Sequence, residues 1–142
     1  MAIKIHVNSK ADDLSAALVR SEVTPNPVRL PDAFKGDKTS YQIAPVDGEI
    51  GDFDDALNAD IDHIRAAIGN APTTPYYETT NWTKSGDYWS GFIDFSGATL
   101  ASAIGSEERL ETLLELRFVH ASTSYAQTYL QAPLTIKNRV AN

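Results

Sequence analysis

Residues 88–140 constrain the fold of this chain more than any other stretch. Tyr88-Trp89-Ser90-Gly91-Phe92-Ile93-Asp94-Phe95 alternates, placing Trp89, Ile93 and Phe95 on one strand face and Tyr88, Ser90, Phe92 and Asp94 on the other. Gly91 lies between the apolar positions, where a bulge or a close packing contact is expected. An Ala/Leu-rich segment follows, read as a short helix capped by Ser96, running through Ile104 and stopped by Gly105. Leu114, Leu116 and Phe118 then alternate with Glu115, Arg117 and Val119, and Ala121–Ser124 turns the chain into the strand Tyr125–Gln131. Pro133, ahead of Leu134-Thr135-Ile136, breaks the next strand and implies an edge position or a bulge, because proline has no N–H for a ladder.

The remainder is read in the same way. Ile3, Ile5 and Val7 make a short opening strand with one buried face. Leu14, Ala17 and Leu18 give Ala11–Arg20 a helical spacing, with Asp12 and Asp13 in its first turn. Pro25, Pro27 and Pro31 exclude a helix in the next stretch and leave it extended. Tyr41–Val46 is a strand closed by Asp47-Gly48. Phe53, Leu57, Ile61, Ile64 and Ile68 fall at steps of 4, 4, 3 and 4, which predicts an amphipathic helix over 53–68 with Asp52 as N-cap and Gly69 as its stop. Ala71–Pro75 connects onward, and Ser85-Gly86-Asp87 marks a hairpin turn before Tyr88.

Together these elements predict a mainly β fold: a largely antiparallel β-sandwich with about six to eight strands and two or three short helices as connections. With 142 residues the chain fits a single domain, 1–142. Within it, 1–47 forms an N-terminal strand with a Pro-rich docking segment, and 48–142 forms a helix plus the sandwich body.

Composition narrows the function classes. The net charge of −7, with lysines and arginines scattered singly, disfavours a phosphate-neutralising surface, so nucleic acid is not an expected partner. The absence of cysteine removes thiol chemistry and disulfide stapling. No apolar run approaches the roughly 20 residues of a membrane span, and the opening strand lacks the apolar core of a signal peptide. Synthesis in the cytoplasm is expected.

Candidate chemistry is sparse. His63 beside Asp60 and Asp62 has no nucleophile elbow to serve, and on a helix these residues do not converge. The acidic stretch Asp47–Asp55 misses the spacing of an EF-hand loop, and helix capping accounts for its aspartates, so no metal is expected. Glu107, Glu108, Glu111 and Glu115 read as a charged rim rather than paired catalytic carboxylates. No cofactor and no catalytic residue is expected. Tyr76, Tyr77, Trp82, Tyr88 and Trp89 form the densest aromatic cluster. Trp89 is expected to fill the core, while Tyr77, Trp82 and Tyr88 are the candidate binding surface, able to stack on sugars or to anchor a protein partner.

The order Tyr88–Phe95, Leu100-Ala101-Ser102-Ala103-Ile104-Gly105, Leu113–Leu116 and Gln131-Ala132-Pro133-Leu134-Thr135-Ile136-Lys137-Asn138-Arg139-Val140 resembles a domain of phage and prophage tail fibres and baseplates (baseplate upper protein-like). Phe34-Lys35-Gly36-Asp37-Lys38 is a looser echo of the same family. The resemblance implies a non-enzymatic structural component of the virion tail. Such a protein assembles with other tail or baseplate proteins, works as a homo-oligomer with a trimer favoured, and reaches the virion after synthesis in the host cytoplasm. The alternative expectation is a carbohydrate- or receptor-binding module on the same sandwich, with Tyr77, Trp82 and Tyr88 stacking on a glycan.

Overall fold

Alternating burial along the strands closes two sheets face to face, in a computed structural model that describes residues 2–19, 29–48, 52–70 and 74–138. The first sheet is built from β1 (Ile3–Asn8), β2 (Leu18–Val19), β4 (Lys38–Val46), β7 (Thr83–Ser85) and β8 (Tyr88–Asp94), in the order β2-β1-β4-β8-β7. The second holds β3 (Ala33–Phe34), β5 (Ile61–Gly69), β6 (Tyr77–Thr79), β9 (Arg109–His120) and β10 (Ala126–Lys137), in the order β3-β10-β9-β5-β6. Pairing is antiparallel except for β1 with β4 and β10 with β3. The expected β-sandwich with short helical connections is therefore the fold. Two α-helices are present among the described residues, α1 (Asp55–Asp60) and α2 (Ala98–Ile104).

One apolar cluster fills the space between the sheets. Ile5, Val7, Tyr41, Ile43, Trp89 and Ile93 enter it from the first sheet; Ile64, Ile68, Leu114, Leu116, Phe118 and Leu134 enter it from the second. Burying each such side chain contributes about 1.5–3 kcal/mol, which is why period-2 patterning sets the register so firmly. The β9–β10 hairpin carries this pattern furthest, with Thr112, Leu114, Leu116 and Phe118 all turned inward. Its turn places Ser124 at φ 63°, and a register shift between Thr128 and Leu130 adds Tyr129, whose ring stacks on Phe118 at 4.8 Å. Pro133 does not break β10: it lies within the continuous strand opposite Leu113. β3 reaches only Ile136 and Lys137, so beside Pro133 no strand among the described residues asks for the missing N–H.

Three helix expectations are corrected. Of 53–68 only α1 is helical, and from Ile61 onward the chain is strand β5. The cause is a bulge: Ile61 faces His120 and His63 faces Val119, so Asp62 is an extra residue in the ladder. That extra residue turns both Ile61 and Ile64 inward although they stand three apart, a spacing that imitates a helical stripe. Ile64, Ala66 and Ile68 then alternate as a strand should. Over the described part of the expected Ala11–Arg20 helix, residues 11–19, only Leu14–Ala16 forms a single 3₁₀ turn. Asp13 accepts hydrogen bonds from the Ser15 amide and hydroxyl, local bonds that compete with helix propagation, and the chain then pairs Leu18 and Val19 with β1. The cap of α2 is Gly97, without a side-chain bond, while the Ser96 hydroxyl donates to Asp94 instead. The segment 20–28, which contains Pro25 and Pro27, lies outside the described residues, as do residues 49–51, residues 71–73 and the end from Arg139.

The β7–β8 hairpin turns where expected. Gly86 adopts φ 64° at the first turn position, the hallmark of a tight two-residue connection between Ser85 and Tyr88. Behind it, Asn58 of α1 is buried and ties three pieces together. Its side-chain amide donates to the carbonyls of Gly86 (3.4 Å) and Asp87 (3.2 Å), and its Oδ1 accepts from the Trp89 indole N–H at 2.8 Å. The Lys84 ammonium donates to the Asn58 carbonyl at 3.3 Å.

Gly91 is the close packing point. A Cβ there would lie 2.6 Å from the Trp82 ring and 2.8 Å from the Asn81 carbonyl. Gly91→Ala is expected to destabilise the protein by about 1–3 kcal/mol in urea melts, whereas Gly97→Ala, where a Cβ meets nothing within 4 Å, stays within about 0.5 kcal/mol of wild type. Asn58→Ala strips the buried Trp89 indole of its acceptor and is expected to cost about 2–3 kcal/mol in the same measurement.

Candidate functional site

Strand alternation decides which side chains reach the outer face of the first sheet. Because Ile3, Ile5 and Val7 point inward, β1 presents Lys4 and His6 outward. The register sets Gln42 beside Lys4, Ala44 beside His6, Ser90 beside Gln42 and Phe92 beside Ser40. Thr83 and Ser85 of β7 complete the face next to Ser90 and Tyr88. Phe92 is 56% exposed, and polar groups surround it; the Gln42 amide donates to the Ser90 hydroxyl at 3.4 Å.

At one end of this face the residues become aromatic. His6 Nε2 shares a 2.8 Å hydrogen bond with the Tyr88 hydroxyl, and the Phe53 ring lies edge-on to both, at 5.5 Å from His6 and 5.6 Å from Tyr88. The Lys4 ammonium stands 5.3 Å above the Tyr88 ring, a cation–π distance. Burial, and then the Lys4 charge, hold the His6 imidazole below its ordinary pKa of 6.5. Burial, and then Asp87, push the Tyr88 hydroxyl upward. Ala44 and Val46 are buried although they sit on this outer face, and neither belongs to the inter-sheet core. Phe53 forms a β-bridge to Val46, which sets the residues just before α1 alongside the end of β4.

Of the three residues expected on a binding surface, Tyr88 alone stands on the outer face, half-buried. Trp82 is a correction: it is 8% exposed and packed over Gly91, and its indole N–H finds no partner among the described residues. Tyr77 is half-buried and packs against the inter-sheet core, because it pairs with the inward-facing Ile68. Neither forms a stacking platform with Tyr88. Phe92, which the sequence placed on the outer strand face without a role, is a large exposed aromatic of this surface, more exposed than Phe53.

A polar network also lies where the sequence had not placed one. Asp60, at the end of α1, bonds His120 Nδ1 at 3.1 Å and accepts from the Ser122 hydroxyl at 2.8 Å and the Ser122 amide at 3.0 Å. On its other side His120 Nε2 meets the Tyr129 hydroxyl at 3.1 Å. Ser122 donates to the aspartate rather than to the imidazole, so serine, histidine and aspartate are not arranged as nucleophile, base and orienter. The network ties the β9–β10 turn to α1. The Ser122 hydroxyl bond, ahead of the other contacts, draws the Asp60 carboxyl below its usual range. His63 pairs instead with Asp62 at 2.7 Å on the surface.

The expected glutamate rim is engaged across the second sheet's outer face. Glu111 accepts from Thr135 at 2.7 Å, and Glu115 accepts from Gln131 at 2.9 Å and pairs with Arg117 at 2.8 Å. Arg65 and Arg117 stand directly opposite one another, and each is offset by its own carboxylate, Glu78 and Glu115. Among the described residues no group of three or more His, Asp or Glu side chains is placed to hold a metal ion, and no helix is long and apolar enough to cross a membrane. No protein-family model matches the chain, and no curated protein is similar to it.

Asp60 gives a pH test of the network. Its carboxyl is lowered on folding, so its contribution is present above the ordinary value of 3.8 and disappears as pH falls through the lowered folded value. Asp60→Asn is expected to be less stable than wild type in urea melts at pH 7, with the difference closing towards pH 3.

Proposed function

We propose that this chain is a non-enzymatic structural component of a phage virion tail, a fibre or baseplate adaptor that acts through protein–protein assembly. The observation that carries the reading is the outer face of the first sheet, where exposed Phe92 stands in a polar field beside the Phe53–His6–Tyr88 cluster. An exposed aromatic ringed by hydrogen-bonding side chains suits an interface anchor. The sequence resemblance over 88–140 supplies the class of partner: other tail or baseplate proteins, and further copies of the chain in a closed ring, with a trimer favoured about a fibre axis. The elements of that stretch run through both sheets, with β8 in the first and β9 and β10 in the second.

A second reading uses the same face for a glycan. Phe92 replaces Trp82 as the stacking ring, with Gln42, Ser90 and Thr83 available to sugar hydroxyls.

Antibody labelling of phage particles from the source lysate, with light scattering of the purified chain, tests the first reading. Label at the tail and a closed oligomer are expected; unlabelled tails together with a monomer at all concentrations overturn it. Phe92→Ser is expected to leave stability within about 0.5 kcal/mol of wild type while weakening assembly at least tenfold. A glycan array answered by wild type and lost in Phe92→Ser would favour the second reading instead.

A further inference from the structure

We infer that the margin of the first sheet beside Phe92 and Asp94 joins two copies of the chain, with β8 pairing antiparallel to β8 of a second copy about a two-fold axis at Ile93. The contact rests on the assembly reading above, which supplies the further copies. The direction of the backbone groups carries it. Just beyond β8, the Phe95 amide donates to the Asp37 carbonyl at 2.7 Å, and the Phe95 carbonyl accepts from the Gly36 amide at 2.9 Å. Phe95 thus turns both groups toward the β4 side, and successive residues of a strand turn theirs to opposite margins. Trp89, Gly91 and Ile93 therefore bond toward β4, while Tyr88, Ser90, Phe92 and Asp94 turn their N–H and C=O to the other margin. β7 takes that margin only as far as Thr83, opposite Ser90.

Beyond Thr83 the chain leaves the sheet. Gly91 shares the inner face with Trp89 and Ile93, and the Trp82 ring and Asn81 carbonyl stand close over it, under the sheet rather than beside it. Among the described residues no strand follows β8 past Ser90, and neither Phe92 nor Asp94 makes a backbone hydrogen bond on that side. An uncovered margin of this kind is a template for another strand.

A second copy fits because the margin is self-complementary. About an axis at Ile93, Phe92 of each copy faces Asp94 of the other, and each such pair exchanges both N–H···O bonds. An axis at Phe92 is excluded, since it sets Asp94 against Ser90 of the second copy, whose margin Thr83 fills. An axis at Asp94 opposes like carboxylates directly. In the register about Ile93 the two Phe92 rings lie on the outer face along the diagonal, a separation aromatic side chains bridge, so each covers exposed surface of the other. Lys38, directly opposite Asp94 within each copy, offsets the carboxylates at the junction.

Light scattering and amide hydrogen exchange on the purified chain over a concentration series test the contact. A dimer is expected to form as concentration rises, with protection appearing at the Phe92 and Asp94 amides, which lack it in the monomer. Asp94→Pro removes an N–H from the margin and leaves the bonds to β4 in place, and is expected to weaken association by about tenfold or more. Asp94→Asn keeps both backbone groups and is expected to stay within about threefold of wild type. If Asp94→Pro fails to fold, the exchange series on wild type decides alone. Association without protection at Phe92 and Asp94, Asp94→Pro no weaker than Asp94→Asn, or a monomer at every concentration overturns the contact. Labelled virion tails together with any of these outcomes leave the tail reading standing and remove this contact only.

Discussion

The hydrogen bond from the Trp89 indole to Asn58 is the constraint on which the arrangement of the two sheets rests. Trp89 belongs to the first sheet, while α1 leads directly into β5 of the second. An indole N–H buried in an apolar core is costly without an acceptor, and at this point a side-chain oxygen accepts it. Asn58 meets that need and uses its amide hydrogens on the β7–β8 turn. Position, polarity and turn geometry are thus fixed by one side chain, where most of the interior is specified by shape alone.

Around this point the fold separates two kinds of polar group. Those at the ends of the sandwich, such as Asp60 with His120 and Ser122, are committed to one another and fasten turns to strands. Those on the outer face of the first sheet, around Phe92, carry fewer such ties among the described residues, with Gln42 donating to Ser90 at 3.4 Å. The proposed assembly role draws on the second kind alone.

Much of the fold is legible in the sequence because burial of one strand face enforces a period of two. Trp89, Ile93, Leu114, Leu116 and Phe118 reveal themselves as core on that basis, and Gly86 reveals its turn. Gly91 is legible as a close contact, but its partner is not: Trp82 is brought over it only by the bend of the chain between β6 and β7. Without that bend in view, Trp82 reads as a surface residue. The helical reading of 53–68 fails for a different reason, since a single bulged residue shifts a strand's inward positions into helical spacing. The His6–Phe53–Tyr88 cluster and the Asp60–His120 pair join residues far apart in the chain, and nothing local in the sequence signals either.

The two parallel pairings carry a consequence for how the molecule comes together. β3 aligns with β10 across about a hundred residues of intervening chain, and β1 must wait for β4, whereas β9 and β10 meet through a short turn. Closing such long loops costs entropy before any contact repays it, so the distant pairings form late. During synthesis on a ribosome, β3 emerges early and is therefore among the last strands to find its place. Until the C-terminal hairpin is complete, β3 has no strand to pair with and the second sheet lacks its longest members.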